Sequence, residues 1–203
     1  MFVACALSAQ EAPASADKPA PSKDYVACFT QWDEHLKNLQ THFLQTTEYD
    51  GLLISQSEGQ LAYRQAGSLL RLDNLQDGHI TQTALTDKKT ILILDEKGKE
   101  ISSLSWQEWS AGQPNKALFD FGNYKALIAK HQALVLEYKQ DAVLLKLTPK
   151  AKKENYTLYV VMQENNCFPT EIRIVSELMK TSAKLSDTRI NMPLNENLFK
   201  GIK

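Results

Sequence analysis

The feature that most restricts how this chain can fold is a long succession of short segments in which apolar and polar residues alternate. Alternation at period two gives each strand one greasy face. The segments read as strands at His42–Glu48, Leu52–Gln56 with Gly59–Gln65, Leu69–Leu72, His79–Thr86, Thr90–Asp95 and Glu100–Leu104. After an interruption they resume at Leu134–Tyr138, Ala142–Leu147, Tyr156–Gln163, Glu171–Val175, Leu178–Lys180 and Lys184–Ile190. Asp50-Gly51, Ala66-Gly67, Asp77-Gly78 and Lys97-Gly98 supply the turns. About eleven consecutive antiparallel strands cannot stay flat, so the sheet must curl or close.

Two helical patterns break the alternation. Phe29, Trp32, Leu36, Leu39 and Phe43 recur three and four apart, which predicts an amphipathic helix over 29–41 passing directly into the first strand. Between Ser105 and His131 the chain carries Pro114 and two short helical stretches, Asn115–Phe121 and Asn123–His131, with Leu118, Phe119, Tyr124, Leu127 and Ile128 as their apolar positions. The expected fold is therefore mainly β: an incomplete, half-open antiparallel barrel covered by an N-terminal helix and two short lid helices. Its apolar cavity would be lined by Phe29, Trp32, Leu36, Leu39, Phe43, Leu61, Tyr63, Leu69, Leu118, Phe119, Leu127 and Ile128. Such a shape reads as a container rather than a catalyst.

The 203 residues suit one domain once the N-terminus is set aside, and 43% hydrophobic content supports a real core. Residues 1–9, MFVACALSA, read as the tail of a secretory signal. Residues 10–24 are rich in Ala, Pro and Ser and read as a flexible leader, leaving 25–203 as the domain. Together they predict export across an inner membrane. A net charge of −1 offers no electrostatic footprint for nucleic acid, and a monomer is expected. Cys28 and Cys167 are the two cysteines beyond the leader, and an oxidising compartment favours pairing them; two idle thiols are the alternative. Cys5 follows Phe2-Val3-Ala4, a poor match to a lipid-attachment motif.

The sequence carries no recognisable signature of catalytic or metal-binding chemistry. The chain has no G-x-S-x-G, no H-E-x-x-H, no C-x-x-C and no Gly-rich phosphate loop. His35, His42, His79 and His131 are scattered without metal-ligand spacing, and Glu96 with Glu100 flank a hairpin turn. No cofactor, no metal and no enzymatic activity are expected. Trp106 and Trp109, three apart, suit either core packing or the mouth of a cavity.

Several landmarks, in order, resemble the LolA family of periplasmic carriers of outer-membrane lipoproteins. Phe43-Leu44-Gln45-Thr46 is similar to the family's F-x-Q-T, and Gly59-Gln60-Leu61-Ala62-Tyr63-Arg64 to its G-x-L-x-h-R strand, where h is apolar. Phe121–His131 with Leu134–Tyr138 resembles its helix and following strand, and Leu145-Lys146-Leu147-Thr148-Pro149-Lys150 its L-x-L-x-P-K. Asp187-Thr188-Arg189-Ile190-Asn191, with Leu194 and Phe199, resembles its ending. The resemblance spans 29–199. It implies acyl chains of lipoproteins as ligand, an inner-membrane lipoprotein-releasing ABC transporter as donor and an outer-membrane acceptor as recipient. The family's Arg-Pro, whose Arg holds the lid helices, is replaced here by Gln65-Ala66, so Arg64 or Gln65 would serve as the lid latch.

Two alternatives share that fold: a LolB-like outer-membrane acceptor anchored through Cys5, and a lipid or lipoprotein sensor. The sensor normally carries a second domain, for which this sequence leaves no room. A lipid hydrolase would need a nucleophile signature that is missing.

Overall fold

A computed structural model describes residues 23–111, 117, 120–139, 141–152 and 154–202. Within them the alternating segments form one antiparallel sheet of eleven strands. In chain order these are β1 (Asn38–Tyr49), β2 (Leu52–Arg64), β3 (Leu69–Gln76), β4 (His79–Thr86), β5 (Thr90–Asp95) and β6 (Glu100–Ser105), then β7 (His131–Lys139), β8 (Ala142–Pro149), β9 (Thr157–Gln163), β10 (Pro169–Val175) and β11 (Met179–Ile190). The spatial order is β6-β5-β4-β3-β2-β1-β11-β10-β9-β8-β7, so the sheet is open, with β6 and β7 at its edges. Three helices accompany it: α1 (Tyr25–His35), α2 (Trp106–Ala111) and α3 (Tyr124–Ala129). The expected half-open sheet with a helical cover is present.

The sheet curls. One continuous core joins side chains of β1, β2, β3, β8, β9, β10 and β11 to Phe29 of α1 and Tyr124 of α3. Seven adjacent strands laid flat would span about 29 Å at the usual strand spacing. A helix only about 10–12 Å across cannot reach them all unless the strands wrap round it. Leu61, Tyr63, Leu145, Val160 and Ile172 therefore point inward, while the residues between them point out.

The outer face carries its own smaller core. Ala62, Leu69 and Leu85 bury against Phe199, in a 3₁₀ turn at Glu196–Phe199, with Leu194, Leu198 and Ile202 alongside. Arg71 fixes this arm, pairing with Asp73 at 2.7 Å and donating to the carbonyl of Leu198. Asp73 also accepts from Thr83.

Several sequence expectations are corrected. The helix starts earlier and ends earlier than 29–41. Asp24 caps it, its carboxylate accepting from the amides of Val26 and Ala27, and Leu36 is already extended. Leu39 and Phe43 belong to β1, not to the helix. Residues four apart share a face in both a helix and a strand, and buried Thr41 between them decides for the strand. Residues 52–64, which the sequence leaves as one strand or a pair, form one long strand, and 179–190 form one rather than two. Leu69 lies in the outer core, because Leu70, not Leu69, shares the inner face with Tyr63. α2, around the two tryptophans, was not anticipated as a helix. Trp106 and Trp109 stack with ring centres 4.9 Å apart, and Trp106 packs against the inner core.

Candidate functional site

The inner face of the sheet is the candidate site, and its cover is built from α1 and α3. The expected cavity residues Phe29, Leu36, Leu39, Phe43, Leu61 and Tyr63 do come together there, each at most 5% exposed. Trp32, Leu127 and Ile128 are half-buried against the same core. Leu118 and Phe119, most of the expected 115–121 helix, and Cys5 fall outside the described residues. Aromatic rings fill the space under the helices. Trp32 meets Phe168 edge-on at 5.5 Å, Phe29 lies 5.0 Å from Tyr124, and Phe121 lies 5.8 Å from both Tyr63 and Tyr124. The indole N–H of Trp32 is buried and has no acceptor among the described residues.

α1 is fixed at its N-terminal end. Cys28 and Cys167 form a disulfide with Cα atoms 5.9 Å apart, joining α1 to the β9–β10 connection. Tyr25 adds a hydrogen bond to Glu164 at 3.0 Å, and Lys23 donates to the carbonyl of Glu164 at 2.6 Å.

α3 is held differently at its two ends. At its N-terminal end the amide of Gly122 donates to Asp33 at 2.6 Å and that of Tyr124 to the other Asp33 oxygen at 2.9 Å. Asn123, in the capping position, makes no side-chain cap, so a carboxylate from another helix satisfies these otherwise orphaned donors. Lys88, from the β4–β5 turn, binds Asp120 at 2.9 Å and the carbonyl of Phe121 at 2.6 Å. Its ammonium also sits 5.7 Å from the Tyr63 ring centre. A surface pair, Lys125 with Glu34 at 2.6 Å, adds little because both partners are largely solvated. At the C-terminal end the ties run to β7 and β8. His131 Nδ1 lies 2.7 Å from the carbonyl of Leu127, and Lys150 reaches that of Ala129 at 2.8 Å.

Asp33 is 1% exposed. Burial pushes its carboxyl above the ordinary carboxylate range; the Gly122 and Tyr124 amides and Lys88 pull the other way without cancelling that push. Burial, with Asp33 and Asp120 nearby, drives the Tyr63 phenol up to about 12. Burial, with the same two carboxylates, pushes the Tyr124 phenol well up too, so both tyrosines stay neutral, as an apolar lining requires.

Of the two residues that the resemblance offers as a lid latch, Arg64 lies on the outer face, its guanidinium 5.2 Å from the Phe199 ring centre, and Gln65 donates its side-chain amide to the carbonyl of Glu34 in α1 at 3.5 Å. The buried polar tie between α1 and α3, a second candidate latch, runs through Asp33, and one signal in the sequence pointed to it. Position 33 is four beyond Phe29 and three before Leu36, so a charged residue stands on the apolar stripe itself.

Among the described residues no His, Cys, Asp and Glu cluster could hold a metal ion, and no helix is long and apolar enough to cross a membrane.

No protein-family model matches the sequence, and no functionally curated protein aligns with it. Solved structures do match it in fold. The crystal structure of MucB is 17% identical with a TM-score of 0.56, over 87% of this chain and 61% of that one. MucB in complex with MucA from Pseudomonas aeruginosa gives 15% identity and a TM-score of 0.51, over 87% and 59%. This chain thus spans about three-fifths of MucB. The Mycobacterium tuberculosis lipoprotein LppX is 12% identical with a TM-score of 0.52, over 84% and 95%. A LolA superfamily protein from Nitrosomonas europaea is 12% identical with a TM-score of 0.49, over 86% and 95%. The fold of this chain is like that of MucB and LppX.

Proposed function

We propose that this chain is a periplasmic carrier that shelters the acyl chains of lipoproteins beneath α1 and α3 and ferries them from the inner to the outer membrane. It acts as a monomer and makes or breaks no covalent bond. A releasing transporter in the inner membrane supplies the cargo, and an outer-membrane acceptor takes it. The observation that carries this reading is an apolar inner face under a helix, α3, whose N-terminal end is held by a few polar contacts together with the aromatic packing of Phe121 and Tyr124.

The magnitudes suit a carrier. Each buried methylene contributes about 0.8 kcal/mol, so an acyl chain of about 14 methylenes offers roughly 11 kcal/mol. Two hydrogen bonds to a buried carboxylate contribute about 3–6 kcal/mol, less what burying the charge costs. An incoming chain can therefore displace the latch and the aromatic plug. Closure of the latch in turn helps expel the cargo, so binding stays reversible. An ester or amide carbonyl at the head of the acyl chain would give the Trp32 N–H its acceptor.

Native mass spectrometry of the full chain, purified from an exporting host, tests the reading. A bound lipid mass is expected, as is transfer of that lipid from donor to acceptor vesicles after delipidation and reloading. Failure to take up any acyl lipid overturns the proposal. A second reading, a lipid sensor reporting to a partner protein, draws support from the likeness to MucB, which has been crystallised with MucA. A sensor would retain lipid in the presence of acceptor vesicles.

A further inference from the structure

Two neighbouring hairpin tips carry an apolar cluster that the covered face does not use. Tyr49, Leu52, Leu53 and Ile54 at the β1–β2 turn are 47%, 72%, 59% and 59% exposed. Leu178 and Met179 at the β10–β11 turn are 47% and 40% exposed. The tips are joined directly: Asp50 donates its amide to the carbonyl of Leu178 at 2.8 Å, and Tyr49 lies opposite both Leu52 and Met179. The β1–β2 tip projects past β3, because β2 pairs with β3 only from Glu58 onward.

We infer that these tips insert shallowly into a lipid surface. Three observations favour lipid over a protein partner. Successive residues of a strand point to opposite faces, so Leu52, Leu53 and Ile54 present apolar groups on both sides of the tongue. A docked protein covers one side; a lipid interface surrounds a tip. The patch exposes on the order of 500 Å², large for an unused surface but below the ~800 Å² each partner of a stable protein interface contributes.

The depth also fits. The apolar stretch is about three residues, or roughly 10 Å, close to the 5–10 Å over which interfacial elements enter the headgroup and acyl boundary. Behind it lies an uncharged hydroxyl girdle, Thr46 bonded to Ser182 and Thr47 to Thr181. Glu48 and Lys180 neutralise each other at 3.0 Å. Asp50 and Glu177 remain at the turns, so the tips rest among headgroups and gain nothing from anionic lipid. They lie at the far end of β1 from Leu36, about 40 Å away along the strand, leaving the lid free while the protein is docked.

The test is flotation of the full chain with vesicles of phosphatidylcholine alone, and of phosphatidylcholine with one-fifth phosphatidylglycerol, at low and high salt. Binding to both, little changed by salt, is expected. The surface variant L52S/L53S/I54S should bind about tenfold or more weakly, with an unchanged unfolding midpoint and unchanged acyl-lipid uptake. L178S/M179S, in the other hairpin, should show a smaller loss and carries the test if the triple variant misfolds. The inference is overturned if the wild-type chain does not float, if both variants float like it, or if binding needs phosphatidylglycerol and vanishes in salt. It is also overturned if light scattering without vesicles finds a dimer that the triple variant abolishes, since the occupant would then be a second copy.

Discussion

Asp33→Ala is the sharpest probe of the covered face. The substitution removes both acceptors of the Gly122 and Tyr124 amides, two hydrogen bonds to a carboxylate that is 1% exposed. Bonds of this kind are worth about 1.5–3 kcal/mol each, so about 3–6 kcal/mol is lost. Against this, the variant no longer holds a carboxyl in a place that disfavours its charge, which returns roughly 1–2 kcal/mol. A net loss of about 2–4 kcal/mol remains, equivalent to roughly 30- to 1,000-fold in an opening equilibrium. The loss should be local, because the C-terminal ties of α3 through His131 and Lys150 are untouched. Amide hydrogen exchange reads it directly. Protection across 121–129 should fall by that factor, while β1, β2 and β11 keep theirs. Asp33→Asn, retaining one carbonyl acceptor, should fall between the two. Protection across 121–129 within threefold of wild type would refute the latch. So would an equal loss throughout the sheet, which would make Asp33 a general core residue.

Three further outcomes follow from the same contacts. Because burial raises the Asp33 carboxyl, the folded chain holds that proton more tightly than the unfolded chain does. Its contribution to stability is therefore present at low pH and lost as pH rises from the ordinary carboxylate range through the raised value. Urea titrations across that window should show the wild type losing stability relative to Asp33→Asn, and a relative gain would contradict the sign. Gly59→Ala places a methyl group against the carbonyl oxygen of Asp73 and the ring of Phe43. It should cost at least about 2 kcal/mol by urea midpoint; a cost under about 0.5 kcal/mol would mean that β2 and β3 shift freely there. Reduction of the Cys28–Cys167 bond, which closes a sequence separation of 139, should remove up to about 4–5 kcal/mol, and an unchanged midpoint by calorimetry would show that α1 is held by packing alone.

The sheet was legible in the sequence because alternation reports which face each residue takes. His79–Thr86 and Thr90–Asp95 fall where the pattern places them, bounded by turns that need positive φ at Gly78 and Gly98. Junctions were less legible. At Leu39 and Phe43 the helical and strand periods coincide, and the burial of Thr41 and the pairing of β1 with β2 and β11 separate them. The length of β2 was hidden because its outer half has apolar residues on both faces and so shows no alternation. The latch was the least visible part. It depends on a carboxylate meeting the backbone of a segment about ninety residues away, and backbone amides leave no trace in composition. Leu69 was misplaced because the outer core, closed by the C-terminal arm, makes that face of β3 apolar as well.

The order of the strands gives the lid a mechanical meaning. β6 and β7 are the two margins of the open sheet, yet they are separated in the chain only by residues 106–130. That stretch, which carries α2 and α3, is the covalent strap from one margin to the other. None of its described residues belongs to a strand pair, so lifting α3 unzips none. The work of opening is set by the few polar contacts and the buried Phe121 and Tyr124 rings of the strap rather than by the ten strand pairings. The same strap limits how far the margins can part, so cover and aperture move as one part.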